Sequence, residues 1–201
     1  MAETKINICV YRKKTVEEFS AMLADPNDRM DCGSAAAATG SIAASLLSRA
    51  AKLSASKREK CEELDWLVRN SEILRTYMVN LIDEDVKCRA PLRRSMKEGD
   101  PQRIEASRQA AVSICLEIVN MMGTCLELAE KLTPYSDSES MPFIVQCAEL
   151  AYGASQAAGN YILTMSGISS DDTYRYVMKR ENELTMQRQR EAYNRILSSS
   201  H

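Results

Sequence analysis

One carboxylate stands out in the stretch NLIDEDVKC, residues 80–88. On a helix, Leu74, Met78 and Leu81 make an apolar stripe. Asp85 falls seven residues after Met78 and four after Leu81, with Cys88 three further on, so it projects from that stripe. Asp83 and Glu84 fall elsewhere around the helix. An acid on a buried face is costly unless it is paired, hydrated or turned to a cavity. In a dry cavity it would hold its proton more tightly and could serve as a general acid or base. The alternative is a structural carboxylate paired with a Lys or Arg of a neighbouring helix. The only histidine is the terminal His201, so internal proton chemistry falls to Asp, Glu, Lys, Tyr, Cys or Ser.

A second stretch, CGSAAAATGSIAAS from Cys32 to Ser45, holds thirteen small residues and one large one, Ile42. Its opening Gly33 and Ser34 would leave backbone N–H groups and a positive dipole end free for an anion or an electron-rich ligand. Cys32 at the same place would have its pKa lowered and become a candidate nucleophile. The rest of the stretch predicts a central helix, because small residues let neighbouring backbones approach to the short end of the usual 8–10 Å.

The elements that must position these residues are all helices. Ala, Leu, Met, Glu, Arg and Lys dominate, while aromatics are 5% and Gly and Pro number seven and five. After an N-terminal arm over residues 1–14, one helical domain is expected over 15–201. Thr15 and Glu18 form a capping-box pattern for a short helix to Ala24. The small-residue helix follows, from Gly33 to Leu53. A long helix runs from Ser56 towards Cys88, with Pro91 disturbing it. Asp100 caps a fourth helix with Pro101 at its first position. A fifth spans Met141 to Met165. A charged sixth starts near Asp171, its apolar side given by Tyr174, Val177, Met178 and Leu184. A net charge of −2 argues against bulk nucleic-acid binding. No apolar run approaches the roughly 20 residues of a membrane span, and the N-terminus lacks a secretory core. Seven cysteines without a CxxC pair, and no internal His, argue against zinc and predict reduced thiols in the cytoplasm.

The order and spacing of these features resemble the cyclodeaminase/cyclohydrolase family: the cyclodeaminase half of formiminotransferase-cyclodeaminase and related methenyltetrahydrofolate cyclohydrolases. Thr15 to Phe19 is similar to its TVEEF-type opening. MDCGSAAAATGSIAASLL, Met30 to Leu47, is similar to its PGGGSAAA turn and small-residue helix. LIDEDVKC is similar to its LIDEDAEAF segment, and AAGNYILTMSGISSDD, Ala157 to Asp172, to its late Ala-rich helix and aspartate-rich turn. The likeness covers about residues 15–175.

The resemblance implies an all-α bundle of antiparallel helices and a homodimer. It implies chemistry on the one-carbon unit bridging N5 and N10 of a tetrahydrofolate, with that folate as substrate and no covalently bound cofactor or metal. Asp85 takes the catalytic acid's place. Gly33, Ser34, Asp31 and Cys32 fall at the substrate turn, Asn160 is the family's late-helix asparagine, and Lys57 and Arg58 are candidates for the folate tail. Either ring hydrolysis or ammonia loss fits. The turn departs from the family pattern, since Met30-Asp31-Cys32 replace Pro-Gly-Gly. Asp31 brings a negative charge and Cys32 a Cβ where a glycine could have had φ > 0. A non-catalytic helical dimer that binds a folate-like ligand or a protein is the other reading.

Overall fold

The computed structural model describes residues 10–199. Residues 1–9 of the expected arm, Cys9 and His201 lie outside the described residues. Six α-helices follow one another: α1 Val16–Ala24, α2 Cys32–Ser56, α3 Glu62–Glu98, α4 Pro101–Leu132, α5 Met141–Gly167 and α6 Asp172–Ser198. Helices α2, α3, α4 and α5 pack in a ring, each on the next, with α2 also touching α4 across it. Helix α6 lies on α4 and α5.

The caps at Thr15 and Asp100 are those the sequence predicts. Thr15 Oγ1 accepts from the Glu18 N–H at 3.2 Å while Glu18 accepts from the Thr15 N–H at 2.9 Å. Asp100 accepts from the N–H groups of Gln102 and Arg103 ahead of Pro101. Gly99, at φ 74°, ends α3 in the left-handed region that a residue with a Cβ disfavours. Gly99 and Asp100 alone therefore turn α3 into α4.

Two boundaries differ from the expectation. Helix α2 continues to Ser56, so the long helix begins only at Glu62. It then runs through Pro91 to Glu98 instead of breaking there. Pro91 is on the exposed side, where the carbonyl it cannot serve is able to turn to water. Around it, Ser95 Oγ donates to the Pro91 carbonyl at 3.0 Å and Arg93 donates to the Val86 carbonyl at 3.4 Å.

The small side chains of α2 have a packing consequence. Ala37, Ala43, Ala44, Ala50 and Ala51 are fully buried. A Cβ on Gly40 would lie 2.5 Å from Met78 Cε of α3 and 2.9 Å from Met122 Sδ of α4. The neighbours thus supply the volume that α2 lacks, and flexible methionines fill the irregular space. One side of α2 stays open: Ile42 is 55% exposed, and Ser45 and Arg49 are exposed with it.

Helix α4 holds one 18-residue window of mean hydropathy 1.5, enough by length and composition to cross a membrane. Half of that window is buried inside the bundle, as a core helix requires. Helix α6 covers its own chain through buried Asn182, Gln189, Ala192 and Ile196; of the predicted apolar side, Met178 packs against the core, Tyr174 and Leu184 are half-buried, and Val177 stays 41% exposed. Gln189 donates to the Val119 carbonyl at 2.7 Å, and Tyr193 stacks on Tyr152 with ring centroids 5.0 Å apart. Cys115, Cys125 and Cys147 are buried as free thiols.

Two outcomes are expected. Ala44→Leu overfills the α2 contact and should destabilise the chain by about 1–3 kcal/mol in urea unfolding; unchanged stability would contradict the packing. Glu72 of α3 takes hydrogen bonds from Lys52 and Ser48 of α2 and from Arg75. These hold its carboxyl down from an ordinary 4.5 to about 2. Its stabilising effect is therefore present above about pH 4.5 and lost as pH falls towards 2. The stability gap between the parent chain and Glu72→Gln should be open at pH 6 and closed at pH 2.

Candidate functional site

Asp85 projects inward from α3 as its spacing predicts, and it meets the start of α2. Its Oδ2 accepts from the Ser34 N–H and from Ser34 Oγ, both at 2.8 Å. Its Oδ1 accepts from Arg89 Nε at 2.8 Å. Asp85 is 0% exposed and Arg89 2%. The approach needs a glycine at 33, because a Cβ there would lie 2.1 Å from Asp85 Oδ1.

Three expectations are corrected by this geometry. Asp85 is not an unpaired acid facing a dry cavity, and its cation comes from its own helix, one turn on, not from a neighbouring helix. The Ser34 N–H at the opening of α2 is not free for a ligand, since Asp85 already caps it from α3. Cys32 is no activated thiol either: burial and the Asp31 carboxylate push its pKa up, against the helix dipole. Its Cβ is tolerated because no described residue other than glycine has a positive φ.

Asp31 has a definite place. It is the N-cap of α2, accepting from the Cys32 N–H at 2.8 Å, and its other oxygen pairs with Arg89 Nη1. Arg89 therefore lies between two carboxylates. Its guanidinium also sits 4.0 Å from the centre of the Tyr161 ring and donates to Tyr161 Oη at 2.6 Å. Cys115 Sγ of α4 is 3.9 Å from Nη2. Burial works against the charge on Arg89, but Asp85, together with Tyr161 and Asp31, outweighs it and the Arg89 pKa stands above its ordinary value. Burial pushes both Tyr161 and Cys115 up to about 12.

Helices α2, α3, α4 and α5 each contribute to this cluster, and it gathers Asp85, Gly33, Ser34 and Asp31. Other predicted residues lie apart. Lys57 is at the opposite end of α2, about 36 Å away at roughly 1.5 Å per residue. There it pairs with Asp137 at 2.7 Å and with Glu139. Arg58 stacks over Tyr135 at 5.4 Å. Within one chain neither can meet a ligand held at Asp85. Asn160 is exposed and lines a cleft of about 120 Å³ with Gln156 of α5 and Asn182 of α6. Its neighbour Tyr161, turned ~100° around the helix, reaches the cluster instead.

Asp83 is buried as well, which its assignment to another side of the helix did not anticipate. It accepts from the N–H groups of Tyr11 and Arg12 at 2.8 and 3.3 Å. The last residues of the expected arm thereby form a 3-10 turn, Tyr11–Lys13, docked on α3. Among the described residues, no group of three His, Cys, Asp or Glu side chains stands ready to hold a metal.

These contacts give a small-residue helix opened by a glycine and tied by an acid of the next helix, inside an all-α ring. Residues 15–183 match the formiminotransferase-cyclodeaminase family, and the chain belongs to it. The fold is shared with the crystal structure of formiminotetrahydrofolate cyclodeaminase from Thermotoga maritima. The TM-score is 0.85 at 19% identity, covering 93% of this chain and 96% of that one. No curated protein sequence matches.

Gly33→Ala should force Asp85 off Ser34 or Arg89 and destabilise the chain by about 1–3 kcal/mol in urea unfolding. Parental stability would mean that the close approach is not required.

Proposed function

We propose that this chain acts in folate one-carbon metabolism, hydrolysing 5,10-methenyltetrahydrofolate or cyclising 5-formiminotetrahydrofolate with loss of ammonia. The observation that carries the reading is the Asp85 carboxylate seated at the glycine-opened start of α2, in a chain of this family. Both reactions pass through a tetrahedral carbon flanked by nitrogens. A carboxylate beside that carbon stabilises the amidinium-like cation and relays protons. Ser34 orients the carboxylate. For Asp85 to reach a substrate, the Arg89 head must leave it.

The chain is read as a cytoplasmic homodimer. Exposed apolar side chains support the dimer: Ile42 of α2 and Ile73 and Tyr77 of α3 stand open, and Glu72 lines both the groove beside Ser45 and the one beside Ile73 and Tyr77.

A non-catalytic scaffold that binds a folate-like ligand or a protein is the second reading. It is favoured by the complete burial of Asp85 and its existing pairing with Arg89.

The near-ultraviolet band of methenyltetrahydrofolate vanishes on hydrolysis, and 5-formiminotetrahydrofolate releases ammonia on cyclisation. The purified chain should speed one of these above buffer, and Asp85→Asn should slow it by about 100-fold or more. Absence of both accelerations, with a melting rise in the presence of a folate, would leave the scaffold reading. Light scattering at the mass of one chain would remove the dimer.

A further inference from the structure

Arg89 is held in a way that a structural ion pair alone does not need. Its head is planar and delocalised. Nε meets Asp85, Nη1 meets Asp31 and Tyr161 Oη, the guanidinium carbon lies 4.0 Å from the Tyr161 ring centre, and Cys115 Sγ is 3.9 Å from Nη2. Asp85 and Arg89 are almost wholly buried, while the Asp31 side chain is 39% exposed. Of the two carboxylates on the head, Asp31 is the one that borders solvent. With the guanidinium in place, the two carboxylates and the arginine sum to a single negative charge; without it, two carboxylates face an aromatic plate.

We propose that this space is a binding slot for a planar delocalised cation of the amidinium or guanidinium class, and that Arg89 is its built-in occupant, competing with any such ligand for Asp85. The slot rests on the preceding reading only for its natural ligand, the amidinium-like one-carbon unit of a folate. The carboxylates supply charge and in-plane acceptors, and Tyr161 supplies a stacking face. Because Arg89 is tethered four residues from Asp85, its effective concentration there is high. The apparent affinity of the parent chain for a ligand is reduced to the fraction of molecules whose Arg89 is out. Arg89 is in this sense a positioning residue that sets whether the acid is available.

The test needs no folate, so its outcome is separate from that of the turnover assays. Arg89→Ala empties the slot; Arg89→Met removes the head but keeps an aliphatic stem. Each is melted in low-millimolar guanidinium chloride, formamidinium chloride or urea. Urea has the shape of guanidinium without its charge. Both cations should raise the Tm of either variant by about 3–6 °C at ten times the dissociation constant. Urea should not, and the parent chain and the Asp85→Asn/Arg89→Ala double variant should not respond. If a variant is unfolded alone, recovery of its helical circular dichroism with formamidinium, but not with urea, supports the slot in the same way. No response of either variant to either cation, or an equal response to urea or in the double variant, overturns it.

Discussion

The Asp85 carboxylate holds two elements at once, and the rest of the arrangement depends on it. One oxygen takes the N–H and hydroxyl of Ser34 and the other takes Arg89. The first contact fixes the start of α2 on α3. The second brings in Asp31, the N-cap of α2, so that the helix is tied to α3 from both sides of its first turn. Only a glycine at 33 lets the carboxylate come so near. From that contact onward α2 runs between α3 and α5, where its alanines and Gly40 leave room for Met78 and Met122.

Burying the two charges of Asp85 and Arg89 is unfavourable in itself, and a buried ion pair is weak ground for stability. Its value lies in what it forbids. Removing Arg89 leaves Asp85 and Asp31 close together without their cation; removing Asp85 leaves the guanidinium and the Ser34 N–H short of a partner. Asp83 shows the other use of an acid on the same helix. Two residues along a helix turn the side chain by about 200°. Asp83 and Asp85 therefore serve opposite sides, one capturing the backbone at Tyr11 and Arg12, the other the start of α2.

Much of this was legible in the sequence, since local chemistry wrote it. The capping box at Thr15, the Asp100–Pro101 start and the inward face of Asp85 follow from period and caps, and the family likeness was carried by the CGSAAAATG and LIDEDVKC stretches. The partner of Asp85 is also written locally, four residues on in its own helix as an i, i+4 pair, where the sequence reading looks to a neighbouring helix. Tyr161 and Cys115 could not have been read: they join the cluster through the packing of α4 and α5, which no local pattern encodes. Lys57 and Arg58 stand at the end of α2, a full helix length from its start, so within one chain their closeness in sequence to the small-residue helix does not bring them to Asp85. Asn160 was carried over by likeness, and the helical turn to Tyr161 decides which residue faces α3.

The central claim is that Asp85 is the ligand-facing acid and that Arg89 covers it when no ligand is bound. The most direct measurement is a crystal structure of the parent chain soaked with 5-formyltetrahydrofolate, read at Arg89. The account predicts the pterin beside the first turn of α2, with the guanidinium swung away from Asp85 and the carboxylate still on Ser34. A folate seated elsewhere, with the Asp85–Arg89 pair intact beneath it, would contradict the account.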